Sequence, residues 1–481
     1  MFKRTTWVLL GLAVACLLGY FLLDNIQQLR QEQQAERARL FHFATDTIAR
    51  IEIRQQKEGE PVRGSGAEYL EILLERTPEA EEGSRWRIIR PIQSAALDFP
   101  VEQLLNSFSR LTPQITLEGA EDLAAFGLDK PRHQIALFPQ EGDPYRLDIG
   151  NDNFDGSGFY ARPEGGEVVL LASTQKGSLL PSLLALRDKT LLRFDTAAVK
   201  SLQVQLAEAE PEVVRLERQE NTWQIVEPRE LPADDLNVDR LLNTLSRLQA
   251  VEFPAETKAE LAPYGLEKPS AQLTVELKDG KTLTVALGAE KEGQVYVITS
   301  EHPAVATLLT STADILRSDF EELRDHRIAR LNPNQVGPVT LESQGERVTL
   351  NPLPQEKGSL DLRWENPEQP GQPVNLSSLF SSLNAARAKE FLPETDPDAQ
   401  KALAEPDLKL TFEAKGEDGR DPLRLSLTSA GLRAYVQSSY QPDIAVIDLS
   451  TFNSVETEVN RLLEGKAEET RDQRGGSSSG S

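Results

Sequence analysis

The chain has 481 residues, of which 39% are hydrophobic and 27% charged, as in ordinary folded domains. This length is too great for one hydrophobic core and indicates several domains. The formal net charge of −24 argues against nucleic acid as a partner, because an acidic surface repels a phosphate backbone.

Residues 1–23 are predicted to form a cytoplasmic tip and a membrane anchor. Lys3 and Arg4 precede an uncharged apolar run at residues 7–23. As a helix, this run would span roughly 26 Å, close to the hydrocarbon thickness of a bilayer. No small-residue cleavage site follows it, so an uncleaved signal anchor is favoured over a signal peptide or a lipidated Cys16. The flanking positive charges predict a cytoplasmic N-terminus and an extracytoplasmic remainder.

Small residues recur on one face of this predicted span, at Gly11, Ala15 and Gly19. In lipid, such a stripe allows another helix to approach closely. Small residues are also common in membrane spans, so helix packing and simple composition both stay open as explanations. Residues 24–39, which are polar and lack Gly and Pro, predict a helical stalk.

Three copies of one unit follow the stalk. The sequence LLNSFSRL at 104–111 recurs as LLNTLSRL at 241–248 and as LFSSLNAA at 379–386, and a tryptophan precedes each copy. A period of about 140 residues is the size of a domain rather than of a solenoid repeat. We therefore predict three tandem domains, at residues 40–190, 191–330 and 331–465. Residues 466–481 are predicted to be a disordered tail that ends in an added Gly/Ser linker.

Each unit mixes strand and helix patterns. Alternating segments such as residues 48–53 predict strands. Apolar residues at i, i+3, i+4 and i+7 predict a helix in each unit with a single buried stripe, and Asn237 and Asn375 are the expected N-caps in the second and third units. A further helix, around residues 179–186, is expected to close the first unit. The predicted fold class is α+β, with mostly antiparallel sheets and helices on one face. The stripe positions are Val101, Leu104, Leu105, Phe108 and Leu111, then Val238, Leu241, Leu242, Leu245 and Leu248, then Leu376, Leu379, Phe380, Leu383 and Ala386.

Candidate chemical sites are few. The segment GNDNFDGSG at 150–158 resembles a calcium-binding loop, but Arg162 stands where such a loop requires glutamate, so a hairpin loop is favoured. The four histidines lack metal-ligand spacing, and nucleotide-binding and nucleophile motifs are missing from the sequence. We therefore predict no catalytic, cofactor or metal site.

The sequence Leu-Arg-Asp occurs twice, each time between an apolar helical run and the start of the next unit. It places Arg187 and Asp188 at the end of the first unit, and Arg324 and Asp325 at the end of the second. We expect these four residues to form buried ion pairs that fix the joints between repeats; a functional charge pair is the second interpretation.

The repeated segments resemble those of a bacterial family, the domain-of-unknown-function 4340 family. They are GLDKP at 127–131 and GLEKP at 265–269, LDIG at 147–150 and VALG at 285–288, Tyr160 and Tyr296, and the two Leu-Arg-Asp sequences. The resemblance implies a single-span envelope protein, encoded beside the permease, ATPase and auxiliary membrane protein of a gliding-motility-type ABC transporter. It implies no catalytic residues.

The expected function is a non-enzymatic accessory or scaffold subunit of such a complex in the bacterial plasma membrane. Its expected partners are the permease and the auxiliary membrane protein, by resemblance, and the bilayer, through residues 7–23. The alternative is a freestanding envelope-binding module that recognises glycan or another envelope protein. An enzyme is the third possibility.

Overall fold

The computed structural model describes residues 36–56, 69–77, 84–220, 222–354, 362–415 and 421–464. The anchor at 7–23, the packing stripe Gly11, Ala15 and Gly19, most of the stalk and the tail lie outside these ranges. Within them, none of the helices combines the length and apolar character needed to cross a membrane. The chain divides into two compact units, Met1–Thr190 and Leu191–Ser481.

The first unit contains one nine-stranded sheet with the order β4-β3-β2-β1-β6-β7-β8-β9-β5. All of its pairings are antiparallel among the described residues. The strands are β1 (Ile48–Gln56), β2 (Tyr69–Arg76), β3 (Trp86–Arg90), β4 (Ser94–Ala95), β5 (Ile115–Leu117), β6 (His133–Pro139), β7 (Tyr145–Asp152), β8 (Gly158–Pro163) and β9 (Val168–Ala172). The α-helices that lie wholly within the described residues of this unit are Asp98–Ser109, Lys176–Leu179 and Leu183–Leu186.

The second unit contains two sheets, and the first of them has eight strands in the order β13-β12-β11-β10-β14-β15-β16-β17. Its strands are β10 (Val199–Leu206), β11 (Val213–Gln219), β12 (Thr222–Glu227), β13 (Leu231–Pro232), β14 (Ala271–Leu277), β15 (Thr282–Lys291), β16 (Gln294–Thr299) and β17 (Ala306–Leu309). Its α-helices are Asp235–Ser246, Thr310–Leu316 and Phe320–Leu323.

The other sheet of the second unit has nine strands in the order β21-β20-β19-β18-β23-β24-β25-β26-β22. Its strands are β18 (Val336–Ser343), β19 (Glu346–Pro352), β20 (Trp364–Glu365), β21 (Pro373–Val374), β22 (Glu390–Leu392), β23 (Leu408–Ala414), β24 (Leu423–Ala430), β25 (Arg433–Ser438) and β26 (Gln441–Ile447). Its α-helices are Ser377–Ala385, Pro397–Leu403 and Leu449–Leu463.

The three sheets repeat one topology. Each begins with four strands in reverse chain order and continues with the strands that follow the helix carrying the stripe, which is Asp98–Ser109, Asp235–Ser246 or Ser377–Ala385. Trp86, Trp223 and Trp364 lie on β3, β12 and β20, the second strand of each sheet, and all three are buried. One face of each sheet packs against helices in a hydrophobic core of its own. In the third repeat the helix Pro397–Leu403 lies on the opposite face, where Ala399 packs with Tyr435, Ile444 and Val446, so the prediction of helices on one face is wrong there. The α+β class with antiparallel sheets in tandem repeats is therefore confirmed.

The first helix after the four opening strands of each repeat buries the predicted stripe. Val238, Leu241, Leu242 and Leu245 are fully buried in the second repeat, whereas Leu236, on the outer side of the same helix, is 81% exposed. Because residues three and four apart share one helix face, this stripe is the surface that packs against the sheet.

The predicted N-cap of the second helix was wrong. Asp234 is the cap, and its Oδ1 accepts hydrogen bonds from the backbone N–H groups of Leu236, at 3.0 Å, and Asn237, at 3.2 Å. Asn237 lies in the first turn instead. In the third helix, Asn375 Oδ1 accepts a bond from Ser377 N at 2.6 Å, although Asn375 lies one residue before the cap position. Both caps satisfy N–H groups that have no partner within the helix.

The segment predicted as a helix over residues 179–186 is two single-turn helices, Lys176–Leu179 and Leu183–Leu186. Pro181 lies between them and has no N–H group with which to continue a helix.

Candidate site at the joint between the second and third sheets

The second Leu-Arg-Asp sequence lies where the second sheet meets the third. Arg324 and Asp325 directly follow the helix Phe320–Leu323 and are only 2% and 1% exposed. Arg324 forms a β-bridge with Ala233, and Asp325 N donates to Pro232 O at 3.0 Å. These backbone bonds fix the positions of both residues relative to the second sheet.

Arg324 reaches into the third sheet. Its Nη2 lies 2.7 Å from Asp443 Oδ2 on β26, and its Nε and Nη2 donate to Gln441 Oε1 at 3.2 and 3.1 Å. Its guanidinium carbon lies 3.3 Å from the ring centroid of Phe391, in a cation–π contact. Burial lowers the pKa of Arg324, and Asp443 partly offsets this effect.

Asp443 accepts hydrogen bonds from two arginines. Arg229, in the turn between β12 and β13, donates from Nη1 to Asp443 Oδ1 at 2.7 Å and also bonds Oδ2, which Arg324 shares. Burial by itself raises the pKa of Asp443, but the bond from Arg229 and the charge of Arg324 outweigh burial and hold that pKa below its usual range. Asp443 therefore stays ionised.

Asp325 forms a separate cluster beside the first. It accepts bonds from Arg327 Nε at 2.8 Å, from Arg330 Nη2 at 3.3 Å and from the Tyr440 hydroxyl at 2.6 Å. Burial acts to raise the pKa of Asp325, but the bonds from Arg327 and Tyr440 outweigh it, and the pKa is lowered. Burial and the nearby Asp325 charge raise the pKa of the Tyr440 phenol, so it remains a donor.

Gln441 and Arg330 connect these clusters to the backbone and to the second repeat. Gln441 Nε2 donates to the carbonyl oxygens of Asp325, at 2.6 Å, and Arg327, at 2.7 Å. Arg330 Nη2 also lies 2.9 Å from Asp235 Oδ2, at the start of the long helix of the second repeat.

The chemistry of this site is structural. Arg324 and Asp325 each form their ion pair with a different residue, and their charged groups are matched by neighbours. A buried pair of this kind adds little net stability over apolar packing, but losing one partner leaves an uncompensated charge. Such a network therefore favours one relative arrangement of the two sheets. No cluster of residues that could hold a metal ion occurs in the described part of the chain.

The first Leu-Arg-Asp sequence uses the same backbone connections within its own unit. Arg187 forms a β-bridge with Ala96, and Asp188 N donates to Ala95 O at 3.0 Å. Arg187 is 4% exposed, and Asp188 Oδ1 accepts a bond from Thr190 N at 2.9 Å. The two Leu-Arg-Asp sequences therefore make the same backbone contacts, each with the sheet of its own repeat.

The sequence interpretation missed the residues that complete the joint. They are Arg229, Arg327, Arg330, Phe391, Tyr440, Gln441 and Asp443. Tyr440, Gln441 and Asp443 lie 115 to 119 positions along the chain from their partners Asp325 and Arg324. The third copy, to which they belong, has no Leu-Arg-Asp sequence that would mark this region by comparison with the other copies.

The Gly-Leu-X-Lys-Pro motif has a packing role in both copies. Gly127 and Gly265 end their 3-10 helices in the left-handed conformation, with φ of 67° in each. A Cβ on Gly150 would come within 2.2 Å of the Phe126 carbonyl oxygen, and one on Gly288 equally close to Tyr264. These glycines let the turn lie directly on the strand.

The tyrosines that follow the motif pack on the same turn. The ring centroid of Tyr160 lies 4.8 Å from that of Phe126, and Tyr296 lies 4.9 Å from Tyr264. The motif turn, the strand glycine and the tyrosine therefore pack against one another in both copies.

The loop at 150–158 is a hairpin turn between β7 and β8. Asn153 Oδ1 accepts a bond from Gly158 N at 3.1 Å, and Asp155 Oδ1 accepts one from Ser157 N at 2.9 Å. These side chains close the turn by local hydrogen bonds.

The family whose members are described as Domain of unknown function (DUF4340) matches residues 86–222 and again residues 223–402, which together make up more than half of the chain. The chain belongs to this family. Each DUF4340 match begins at a repeat tryptophan, Trp86 or Trp223. The first match ends where β12 begins, and the second continues past β20 to residue 402, in the helix Pro397–Leu403. Neither a curated protein nor a solved structure matches the chain.

Proposed function

We propose that this protein is a non-enzymatic accessory or scaffold subunit of a bacterial envelope complex. The observation that carries the proposal is the buried joint of Arg324, Asp325 and Asp443. Its charged side chains hold two sheets in one relative arrangement. A scaffold subunit needs such rigidity, because it has to present its binding surfaces to partner proteins in a fixed geometry. Perturbed pKa values at this joint have partners that explain them, so they do not call for a reaction.

The proposed location is the bacterial plasma membrane, with residues 7–23 as a single span, a cytoplasmic N-terminus and the three repeats outside the cytoplasm. The support is the apolar run flanked by Lys3 and Arg4. The intact mass of protein extracted from membranes should include residues 1–23, and loss of about the first twenty residues, the length of a signal peptide, would contradict this location.

The proposed partners are the permease and the auxiliary membrane protein of a gliding-motility-type ABC transporter. Membership of the family supports this, through the gene association that the sequence resemblance implies. Full-length protein, purified from its native membrane in mild detergent, should retain both partners on an affinity column. A protein that is recovered alone under these conditions would contradict the accessory role.

The stripe of Gly11, Ala15 and Gly19 is the proposed contact with a partner helix. Replacing all three with leucine should reduce recovery of the permease, because larger side chains prevent close helix approach in lipid. Ala13→Leu, off the stripe, is the control and should leave recovery unchanged. Equal recovery with the triple variant would remove the stripe from the contact.

A further inference from the structure

The open face of the first sheet contains a groove of about 260 Å³ that crosses five strands from β3 to β7. One row of its lining takes a residue from each strand, in the order Arg90, Leu73, Glu52, Ala136 and Arg146, and each is the direct cross-strand neighbour of the next. Leu73 and Ala136 are short and apolar, so they form a floor between longer polar side chains. At about 4.8 Å per strand, the row is roughly 19 Å long.

A second row of polar groups runs beside the first and is held by mutual contacts. Arg54 Nη1 donates to Gln134 Oε1 at 3.3 Å, and Gln134 Nε2 donates to Asp148 Oδ1 at 2.8 Å. The guanidinium carbon of Arg54 lies 3.9 Å from the ring centroid of Tyr69. These planar groups are therefore oriented before any ligand arrives, which lowers the entropic cost of binding.

The charges in the groove select a ligand class. Three arginines and three carboxylates line it, so it has no net charge: Arg54, Arg90, Arg146, Glu52, Glu71 and Asp148. Attraction and repulsion therefore offset each other for a strongly anionic or cationic ligand, and the groove favours neither. A hydroxyl group both donates and accepts hydrogen bonds, and therefore suits a surface that alternates between charged donors and acceptors.

The second sheet shows that the fold does not require these residues. The same cross-strand row there reads Glu227, Arg215, Gln203, Thr274 and Thr284. Arg215 stands in the position of Leu73 and replaces the apolar floor with a long side chain. The groove of the first sheet is therefore a property of its particular residues and not of the repeated topology.

We propose that the first unit binds an oligosaccharide across this groove. Sugar C–H faces pack on Leu73 and Ala136, and hydroxyl groups bond to Glu52, Arg90 and Arg146. Arg90 and Arg146 are 59% and 47% exposed, and each also pairs with a carboxylate, Glu71 at 3.8 Å and Glu164 at 3.0 Å. This site is independent of the proposed scaffold role, because it does not involve the joint or the anchor.

The test is calorimetric titration of the full-length protein in detergent with three tetrasaccharides: tetraacetylchitotetraose, maltotetraose and tetragalacturonate. At least one neutral tetrasaccharide should bind. Leu73→Arg, which introduces the residue found at this position in the second sheet, should fill the groove and weaken binding at least tenfold. Arg146→Thr, which copies Thr284, should weaken binding several-fold.

Arg424→Thr is the matched control, because Arg424 occupies the position of Arg146 in the third sheet, beside Thr411 and Thr340. It should leave binding unchanged. Thermal unfolding of each variant checks that the fold is retained. The proposal is overturned if none of the three sugars binds, if only tetragalacturonate binds, or if Leu73→Arg binds as tightly as the wild type.

Discussion

Arg324 Nη2 lies 2.7 Å from Asp443 Oδ2, although 119 positions of the chain separate the two residues. Arg324 ends the second repeat, and Asp443 lies on β26, one strand from the far edge of the third sheet. Both side chains are almost fully buried, so Arg324 needs Asp443 as its counter-charge, whereas Asp443 is paired with Arg229 as well. The pair therefore ties the folding of the second unit to the correct placement of its two sheets.

Replacing Asp443 with alanine should reduce the free energy of unfolding of the second unit by about 3–5 kcal/mol, because Arg324 would remain buried without a counter-charge. Urea unfolding of the purified protein measures the change. Glu301→Ala is the control, since Glu301 forms an exposed pair with Lys281, at 2.7 Å, and should cost less than about 1 kcal/mol. Equal effects of the two variants would contradict a clamping role for Asp443.

The joint should weaken in acid. The pKa of Asp443 is lowered in the folded protein, so its ionisation contributes stability that is present above the unfolded pKa of about 3.9 and is lost as the pH falls towards the folded pKa. The free-energy difference between the wild type and Asp443→Asn should therefore be constant from pH 7 to about 5 and shrink below about pH 4. Urea unfolding at several pH values tests this, and a difference that grows in acid would show that the sign is wrong.

Gly150→Ala should destabilise the first unit by about 1–3 kcal/mol, because the new Cβ would overlap the Phe126 carbonyl oxygen and the backbone would have to shift. Gly177→Ala is the matched control: a Cβ there meets nothing within 4 Å, and Gly177 lies in the helix Lys176–Leu179. It should be neutral or stabilising by up to about 1 kcal/mol. Thermal unfolding compares the two variants, and equal melting temperatures would contradict the close packing of Gly150 against Phe126.

The long helix of the second repeat offers a test of its buried face. Leu241→Ala should reduce the free energy of unfolding by about 2–5 kcal/mol, because it removes a fully buried side chain and leaves a cavity. Leu236→Ala, five residues earlier and 81% exposed in the wild type, should change it by less than about 0.5 kcal/mol. If the two variants unfold at the same urea concentration, the helix does not pack as described.

Local patterns in the sequence were sufficient for strand β1 and for the buried helix stripe, but not for two- and three-residue strands such as β4 and β5. The alternation at residues 48–53 lies within β1, and the periodicity of Val238, Leu241 and Leu245 identifies the buried side of its helix. The N-cap was the point where local reasoning failed. Asp234 and Asn237 both carry side chains that suit a cap, and the chain path into the helix decided between them.

The sequence by itself determined the α+β repeats and the positions of Arg187, Asp188, Arg324 and Asp325 at the ends of units, because periodicity and duplication are properties of neighbouring residues. Only the tertiary structure decided which partners these charges have. The partners of Arg324 come from β26 and from the turn between β12 and β13, and no local pattern marks an aspartate such as Asp443 among 76 acidic residues. Burial and distance select it, and both exist only after the sheets have packed together.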